Sequence, residues 1–183
     1  MIYAHYLIEP RLGQIEYEQA TCIDLGCGDY RSDVAKQVLE MPFKSLTSIE
    51  GYEFDFNHMP TSLAKNHIKK CADVVSVLKS KETYDVGFAF DVLEHLEKQK
   101  GELVLDWMIA HCDRIVIFIP VEPEGFHRTW DDGNPLQEHV SYWSAEDFEK
   151  RGLKVEVCEK IHSENIGGQT LRFDALWVTK YQS

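Results

Sequence analysis

Short apolar segments alternate along the chain with segments whose apolar residues recur at helical spacing. Five of the apolar segments have the length and composition typical of β-strands: Thr21–Leu25, Leu46–Glu50, His67–Cys71, Tyr84–Asp91 and Arg114–Pro120. The last of them is apolar throughout, as expected of a strand that is covered on both faces. Between the strands, the pattern predicts helices over residues 31–41, 73–78 and 93–111. The apolar stripe of the third helix consists of Leu103, Trp107 and Met108.

The C-terminal part of the chain departs from this alternation. A helix is predicted over Ser144–Arg151, with Ser144 as its N-cap and two acidic residues in its first turn. Two further strands, Lys154–Ile161 and Gln169–Lys180, follow with no helical pattern between them. We therefore expect these two strands to form a hairpin-like antiparallel pair at the edge of a sheet.

This order of elements predicts an α/β fold. We expect a Rossmann-like three-layer sandwich with a mostly parallel seven-stranded sheet and an antiparallel C-terminal strand. The length of 183 residues suits one domain spanning residues 1–183. Ligands of such folds bind beyond the carboxyl ends of the strands, near the point where the strand order reverses. We therefore expect a site at the ends of the first, second and fourth strands.

Charge and composition exclude several classes of function. Nineteen basic and 31 acidic residues give a formal net charge of −12, which disfavours a nucleic-acid partner. No apolar run reaches the roughly 20 residues that span a bilayer, and the N-terminus lacks the features of a signal peptide. The five cysteines have no spacing typical of a zinc site or a disulfide framework. We expect a soluble, cytoplasmic protein with no membrane partner and no bound metal.

A turn containing two glycines, Gly26-Cys27-Gly28, follows the first predicted strand and leads into a helix. Glycine lets the backbone turn sharply and approach a ligand, and a helix N-terminus favours a negatively charged group. Arg31 stands where a dinucleotide fingerprint needs glycine, which disfavours NAD, and the absence of a Gly-Lys-Ser/Thr sequence excludes a P-loop. Glu50 ends the second strand, where a carboxylate can accept both hydroxyl groups of a ribose. A plain strand-to-helix turn without a ligand is the alternative.

Two longer motifs resemble those of the class I S-adenosylmethionine-dependent methyltransferases. Ile23-Asp-Leu-Gly-Cys-Gly28 is similar to their first motif, and Tyr84-Asp-Val-Gly-Phe-Ala-Phe-Asp-Val-Leu-Glu-His-Leu96 is similar to their fourth-strand signature. The resemblance implies S-adenosylmethionine as the cofactor, with Glu50 on its ribose and Asp73 on its adenine amino group. The sequence departs from the family at Tyr30, where many members have a third glycine. The implied cofactor site comprises Asp24, Gly26, Cys27, Gly28, Glu50, Gly51, Asp73 and Asp91.

We expect an N-terminal segment, 1–20, acting as a lid, and a long loop, 121–143, to recognise the methyl acceptor, because long loops are often lids or binding loops. Within the loop, Asn134-Pro-x-x-x-His139-x-Ser141-x-Trp143 is similar to the pattern of a bacterial and phage methyltransferase subgroup whose substrates are often unassigned or glycan-related. A small-molecule or glycan-type acceptor is therefore implied. His139 is the candidate base or acceptor-orienting residue, and Asp91 is a second candidate whose alternative role is helix capping. Further candidates for the acceptor site are Tyr3, His5, Tyr6, Phe126, His127, Arg128, Trp130, Tyr142 and Trp143.

The sequence lacks the motifs of several other classes of methyltransferase. A DNA amino-group methyltransferase would carry Asp/Asn-Pro-Pro-aromatic where Asp91-Val-Leu-Glu94 stands, and a cytosine-carbon enzyme would need a Pro-Cys dipeptide, which the sequence lacks. A metal-assisted catechol-type enzyme would need a second acid after the fifth strand, where Pro120-Val121 stands. We expect Glu94 to complement the dipole of the helix it begins. A protein acceptor, or a catalytically silent scaffold or regulatory module, stays open.

Overall fold

The computed structural model describes residues 7–122, 134–166 and 169–180. Its strands are β1 Thr21–Leu25, β2 Ser45–Glu50, β3 His67–Cys71, β4 Tyr84–Phe90, β5 Cys112–Val121, β6 Lys154–Ile166 and β7 Gln169–Lys180. They form one seven-stranded sheet in the order β3-β2-β1-β4-β5-β7-β6. All seven strands predicted from the sequence are confirmed.

Strand directions place the crevice where the sequence predicts a site. Strands β1 to β5 pair in parallel, whereas β7 is antiparallel to both β5 and β6. The chain runs outward from β1 to β2 and β3, then returns to place β4 on the other side of β1. The strand order therefore reverses between β1 and β4, and the mostly parallel sheet with its antiparallel C-terminal strand is confirmed.

Helices lie before the first strand, between the parallel strands and between β5 and β6. They are α1 Glu9–Leu12, α2 Asp33–Glu40, α3 Glu53–His58, α4 Lys98–His111 and α5 Ala145–Glu149, with 3-10 helices at Val74–Lys79, Leu93–His95 and Pro135–Gln137. The helix predicted over 93–111 is two elements, because Leu96 and Glu97 adopt extended backbone between the 3-10 turn and α4. Ser144 caps α5 as predicted, with Asp147 completing a capping box. Neither α1 nor α3 was predicted.

The predicted apolar stripe of α4 is wrong at one position. Leu103 is 50% exposed, whereas Val104 and Met108 are fully buried. The buried residues of α4 follow the spacing of one helical face and include a glycine: Gly101, Val104, Leu105, Trp107 and Met108. The glycine hides this face from a search for large apolar side chains, so the sequence pattern favoured Leu103.

The sheet has an apolar core on each face, which defines the three layers. Along β5, Ile115, Ile117 and Ile119 belong to one core, and the alternating Val116 and Phe118 belong to the other. Side chains of successive strand residues point to opposite faces, so a strand covered on both sides must be apolar throughout. The continuous apolar run of β5 is thus explained by its position inside the sandwich.

None of the helices in the described part of the chain has the length and apolar character needed to cross a membrane.

Candidate functional site

The turn after β1 is built from residues with left-handed backbone. Gly26 and Gly28 have φ values of 61° and 57°, a region that favours glycine. A Cβ atom at Gly26 would lie 2.8 Å from Cγ2 of Val92, so the turn packs directly against the chain that leaves β4. Glycine at 26 is therefore required by both backbone conformation and space.

Tyr30, at the position of the family's third glycine, fits the turn without obstructing it. Its φ is 61°, and its side chain is only 2% exposed. The hydroxyl group lies 2.7 Å from Oγ of Ser48 on β2. The ring is thus buried in the core, and the departure from the family pattern does not fill the crevice above the strands.

Glu50 at the end of β2 holds the turn together. One carboxylate oxygen accepts the N–H of Gly28 at 2.8 Å, and the other accepts the N–H of Tyr52 at 2.7 Å. Burial raises the pKa of Glu50, and these two backbone hydrogen bonds oppose the rise. The carboxylate is therefore fixed in orientation, and each oxygen keeps a further lone pair for a ligand hydroxyl group.

Asp24 on β1 is a buried carboxyl group beneath the turn. It is 1% exposed, and neither of its oxygens has a hydrogen-bond partner among the described residues. Burial raises its pKa to about 7; the Tyr30 hydroxyl beside it opposes this rise, and the charge of Glu50 adds to it. Such a group stores free energy that a donor or cation brought by a ligand would release.

The remaining predicted cofactor residues lie on both sides of the turn. Asp73 accepts the N–H of Val75 at 2.8 Å and caps the 3-10 helix after β3. A Cβ atom at Gly51 would lie 3.0 Å from Cδ1 of Leu136, so the loop after β5 packs over the end of β2 at this glycine. Cys27 is buried in the apolar core, and its side chain does not face the crevice.

A cavity of about 470 Å³ opens at the carboxyl ends of β1, β2 and β4. Five of the predicted site residues line it: Gly26, Glu50, Gly51, Asp73 and Asp91. Its other walls include Val92, His95, Leu136 and Val140. Asp91 has a left-handed φ of 51°, and its N–H donates to the carbonyl of Phe118 at 2.9 Å, which ties the end of β4 to β5. The structure therefore brings most of the predicted residues to one crevice.

His139 lies beside this crevice in an environment that the sequence did not reveal. It is 3% exposed, and its Nδ1 lies 2.7 Å from Oε2 of Glu122, whose side chain is 6% exposed. Its ring is also perpendicular to that of His95, with 4.6 Å between the centroids. Glu122 was not predicted, although its position directly after β5 is the signal that could have identified it.

Glu94 is buried, contrary to the simple helix-dipole role expected of it. It is 2% exposed and lies in the 3-10 turn after β4 together with His95. One potential ligand atom from each of Glu94, His95 and His139 lies within 4.8 Å of the others. The buried acid therefore belongs to a polar cluster and not to a solvated helix end.

Trp143 fixes the segment that carries His139 against α4. A Cβ atom at Gly101 would lie 2.7 Å from Cζ2 of Trp143 and 3.3 Å from the carbonyl oxygen of Leu93. Nε1 of Trp143 also donates to Oγ of Ser141 at 3.0 Å. The indole thus occupies the space that a side chain at position 101 would need.

We expect Gly101→Ala to lower the free energy of unfolding by up to about 2 kcal/mol. The greater helix propensity of alanine contributes about 1 kcal/mol in its favour, but overpacking against Trp143 costs about 1–3 kcal/mol. Urea unfolding measures the net change. In a Trp143→Phe background, which removes the obstructing atom, the same substitution is expected to cost less. A stabilising effect in the otherwise unaltered protein would contradict this packing argument.

Several predicted acceptor residues lie outside the described residues. They are Tyr3, His5, Tyr6, Phe126, His127, Arg128 and Trp130. The lid of 1–20 and the loop of 121–143 therefore stay predictions in those parts.

Comparison with known proteins identifies the fold. No protein-family model matches the sequence, and no curated protein is similar to it. Among solved structures, TehB from Haemophilus influenzae superposes with a TM-score of 0.62 at 14% identity, over 98% of this chain and 62% of that chain. DhpI in complex with SAH superposes with a TM-score of 0.65 at 14% identity, over 96% of this chain and 82% of the DhpI chain. The small RNA methyltransferase HEN1 superposes with a TM-score of 0.61 at 12% identity, over 97% of this chain and 25% of the HEN1 chain.

The chain therefore has the fold of class I methyltransferases. It spans less than two thirds of the TehB chain and a quarter of the HEN1 chain.

Proposed function

We propose that the protein is an S-adenosylmethionine-dependent methyltransferase that acts on a small-molecule or glycan-type acceptor. The observation that carries this proposal is the cavity at the ends of β1, β2 and β4, where Gly26, Glu50 and Asp73 meet. DhpI, which shares the fold, was crystallised with SAH, the demethylated form of this cofactor. The resemblance of the first and fourth-strand motifs gives independent support from the sequence.

The residues present fit the cofactor. The turn at Gly26 gives a cradle that a side chain would fill, and the buried carboxyl of Asp24 has no partner among the described residues. Glu50 is held by two backbone N–H groups with lone pairs left for ribose hydroxyl groups. Glu50 would hold the ribose, Asp73 the adenine amino group, and the turn with Asp24 the cationic methionyl end.

When bound, S-adenosylmethionine supplies an activated methyl group on a sulfonium. The protein's contribution is therefore to position the acceptor and to exclude water. His139 is held by Glu122, whose carboxylate accepts a hydrogen bond from Nδ1, so that in the neutral form of the ring Nε2 carries the lone pair. We propose that His139 orients the acceptor or removes its proton, with Asp91 as a further polar group of the cavity.

The size of the cavity and the charge of the chain support this acceptor class. The cavity of about 470 Å³ is in the range of small-molecule sites. The formal net charge of −12 disfavours a nucleic-acid backbone. Val140 and Leu136 provide apolar wall on the side of the loop after β5. These observations favour a compact acceptor, while the likeness to HEN1 makes RNA the comparison to include in a test.

Glu50→Ala is expected to weaken binding of S-adenosylhomocysteine by about 1–3 kcal/mol, because two hydroxyl contacts are lost. The substitution also frees the N–H groups of Gly28 and Tyr52, which loosens the turn. Isothermal titration calorimetry measures the change. Glu53→Ala, at an exposed position on α3, is the matched control and is expected to bind normally. An unchanged affinity in Glu50→Ala would remove Glu50 from the cofactor site.

Turnover is tested with radiolabelled S-adenosylmethionine and panels of small molecules, glycans and short RNA. Transfer to a small molecule or glycan supports the proposal. Transfer to RNA alone would overturn the acceptor class but keep the reaction. Binding of the cofactor without transfer to any panel favours a silent scaffold, and failure to bind either form of the cofactor would refute the proposed reaction.

A further inference from the structure

We infer that Glu94, His95 and His139 form a binding site for a divalent transition-metal ion at the edge of the cavity. One potential ligand atom from each residue lies within 4.8 Å of the others. Two imidazoles and one carboxylate are a donor set that first-row divalent metals bind. This differs from the metal-free site expected from the sequence, because His139 is 44 residues from His95 and only the fold brings them together.

The hydrogen bonds of both histidines select the nitrogen that would bind the metal. Nδ1 of His95 lies 3.1 Å from the carbonyl oxygen of Glu138, and Nδ1 of His139 lies 2.7 Å from Oε2 of Glu122. Carbonyl and carboxylate oxygens accept hydrogen bonds, so Nδ1 is the donor in each pair, and in the neutral form of each ring the lone pair then lies at Nε2. Metal-binding histidines characteristically donate their other ring N–H to a carboxylate or a backbone carbonyl, and both arrangements occur here.

The backbone holds the three residues in place without a ligand. The carbonyl oxygen of Glu94 accepts the N–H groups of Val140 and Ser141 at 2.8 and 3.1 Å. The hydroxyl of Ser141 donates to the carbonyl oxygen of Leu93 at 3.1 Å. These bonds join the turn after β4 to the segment containing His139, so both parts of the site move as one unit. A site preorganised in this way loses little conformational entropy on binding.

Burial and charge favour a cation over an anion or a neutral ligand. The side chains of Glu94 and Glu122 are 2% and 6% exposed, which is costly for carboxylates. A divalent cation would neutralise both charges, Glu94 as a direct ligand and Glu122 through His139. Because two donors are imidazole nitrogens, Mn²⁺, Fe²⁺, Co²⁺ or Zn²⁺ suits the site better than Ca²⁺.

The position of the site indicates what the ion would do. His95 lines the same cavity as Gly26 and Glu50. An ion bound there would hold an acceptor oxygen and lower its pKa, since a metal stabilises the deprotonated form. His139 then orients the acceptor through the ion instead of removing its proton. This role rests on the proposed methyl transfer, whereas the metal site itself does not.

The test is a titration of the 183-residue chain, stripped with a chelator and free of cofactor, with Co²⁺; binding is followed by visible absorption. We expect one equivalent to bind, with a Kd of roughly micromolar order. Glu94→Gln and His139→Ala are each expected to weaken binding at least about 100-fold, and Glu122→Gln about 10–100-fold. His58→Ala, an exposed histidine on α3, is the matched control. Circular dichroism shows whether each variant is folded.

Failure of the folded, unaltered protein to bind Co²⁺, Mn²⁺ or Zn²⁺ would overturn the inference. Binding by Glu94→Gln and Glu122→Gln that is as tight as binding by the unaltered protein would also overturn the inference, because the ion would then lie elsewhere. If His139→Ala does not fold, these two variants decide the result. No step uses S-adenosylmethionine, so the metal site can stand or fall independently of the proposed reaction.

Discussion

His139→Ala is expected to lower the rate of methyl transfer about 100-fold or more while binding of S-adenosylhomocysteine stays within about twofold of normal. The imidazole is buried beside the cavity and held by Glu122, so its loss removes a group on the acceptor side. In the proposed site the cofactor is bound instead by Glu50 and the turn after β1, which lie on other elements of the fold. Single-turnover kinetics that follow formation of the methylated product measure the rate of transfer, and calorimetry measures the affinity for S-adenosylhomocysteine.

Two further measurements separate the possible roles of His139. Glu122→Gln keeps the histidine but changes its partner, and a smaller loss of rate is expected than for His139→Ala. If the histidine acts through an ion, added Co²⁺ or Mn²⁺ should partly restore the rate of methyl transfer by His139→Ala, because Glu94 and His95 remain as ligands. A base role predicts no such recovery. Normal turnover by His139→Ala would contradict any direct part in the reaction.

Asp24→Asn is expected to stabilise the cofactor-free protein above pH 7 relative to the unaltered chain. Burial raises the pKa of Asp24 from an ordinary 3.8 to about 7. Between these pH values the folded protein keeps a proton that the unfolded chain has released, so the stability of the unaltered protein falls as pH rises. The shift corresponds to at most about 4 kcal/mol. Asparagine has a similar shape but cannot ionise, so the variant lacks this loss.

Urea unfolding of both proteins from pH 4 to pH 8 measures the difference directly. The gap in unfolding free energy should widen in favour of Asp24→Asn as pH rises through this range. Because the charge of Glu50 is one cause of the raised pKa of Asp24, Glu50→Gln should move the transition to lower pH. A difference between the proteins that is independent of pH would show that Asp24 titrates normally.

The sequence predicted the sheet well because its signals are local. Each strand is a short apolar run, and the position of Glu50 as the last residue of β2 follows from the end of such a run. The end of β1 and its glycines likewise set the location of the crevice. These features depend on neighbouring residues, so they can be recognised without knowledge of tertiary structure.

The polar cluster could not be predicted because it is formed by packing. Glu94 sits in a turn where an acid is common, and its burial arises when residues 138–141 cover it. Glu122 carries no motif, and its pairing with His139 depends on a loop that returns to the sheet. The wrong assignment of Leu103 to the buried face of α4 has a related cause. The space beside Gly101 is filled by Trp143, which is distant in the sequence.

The segment that contains His139 is attached to the turn after β4 through the backbone carbonyl of Glu94. This form of attachment matters for how the sequence can change in evolution and in engineering. Val140 donates its N–H to that carbonyl, while its side chain is 42% exposed and lines the cavity. A backbone bond is the same for any residue other than proline. If the proposed function holds, a single side-chain exchange at position 140 therefore changes the wall of the cavity, and with it the substrate preference, without displacing the histidine next to it.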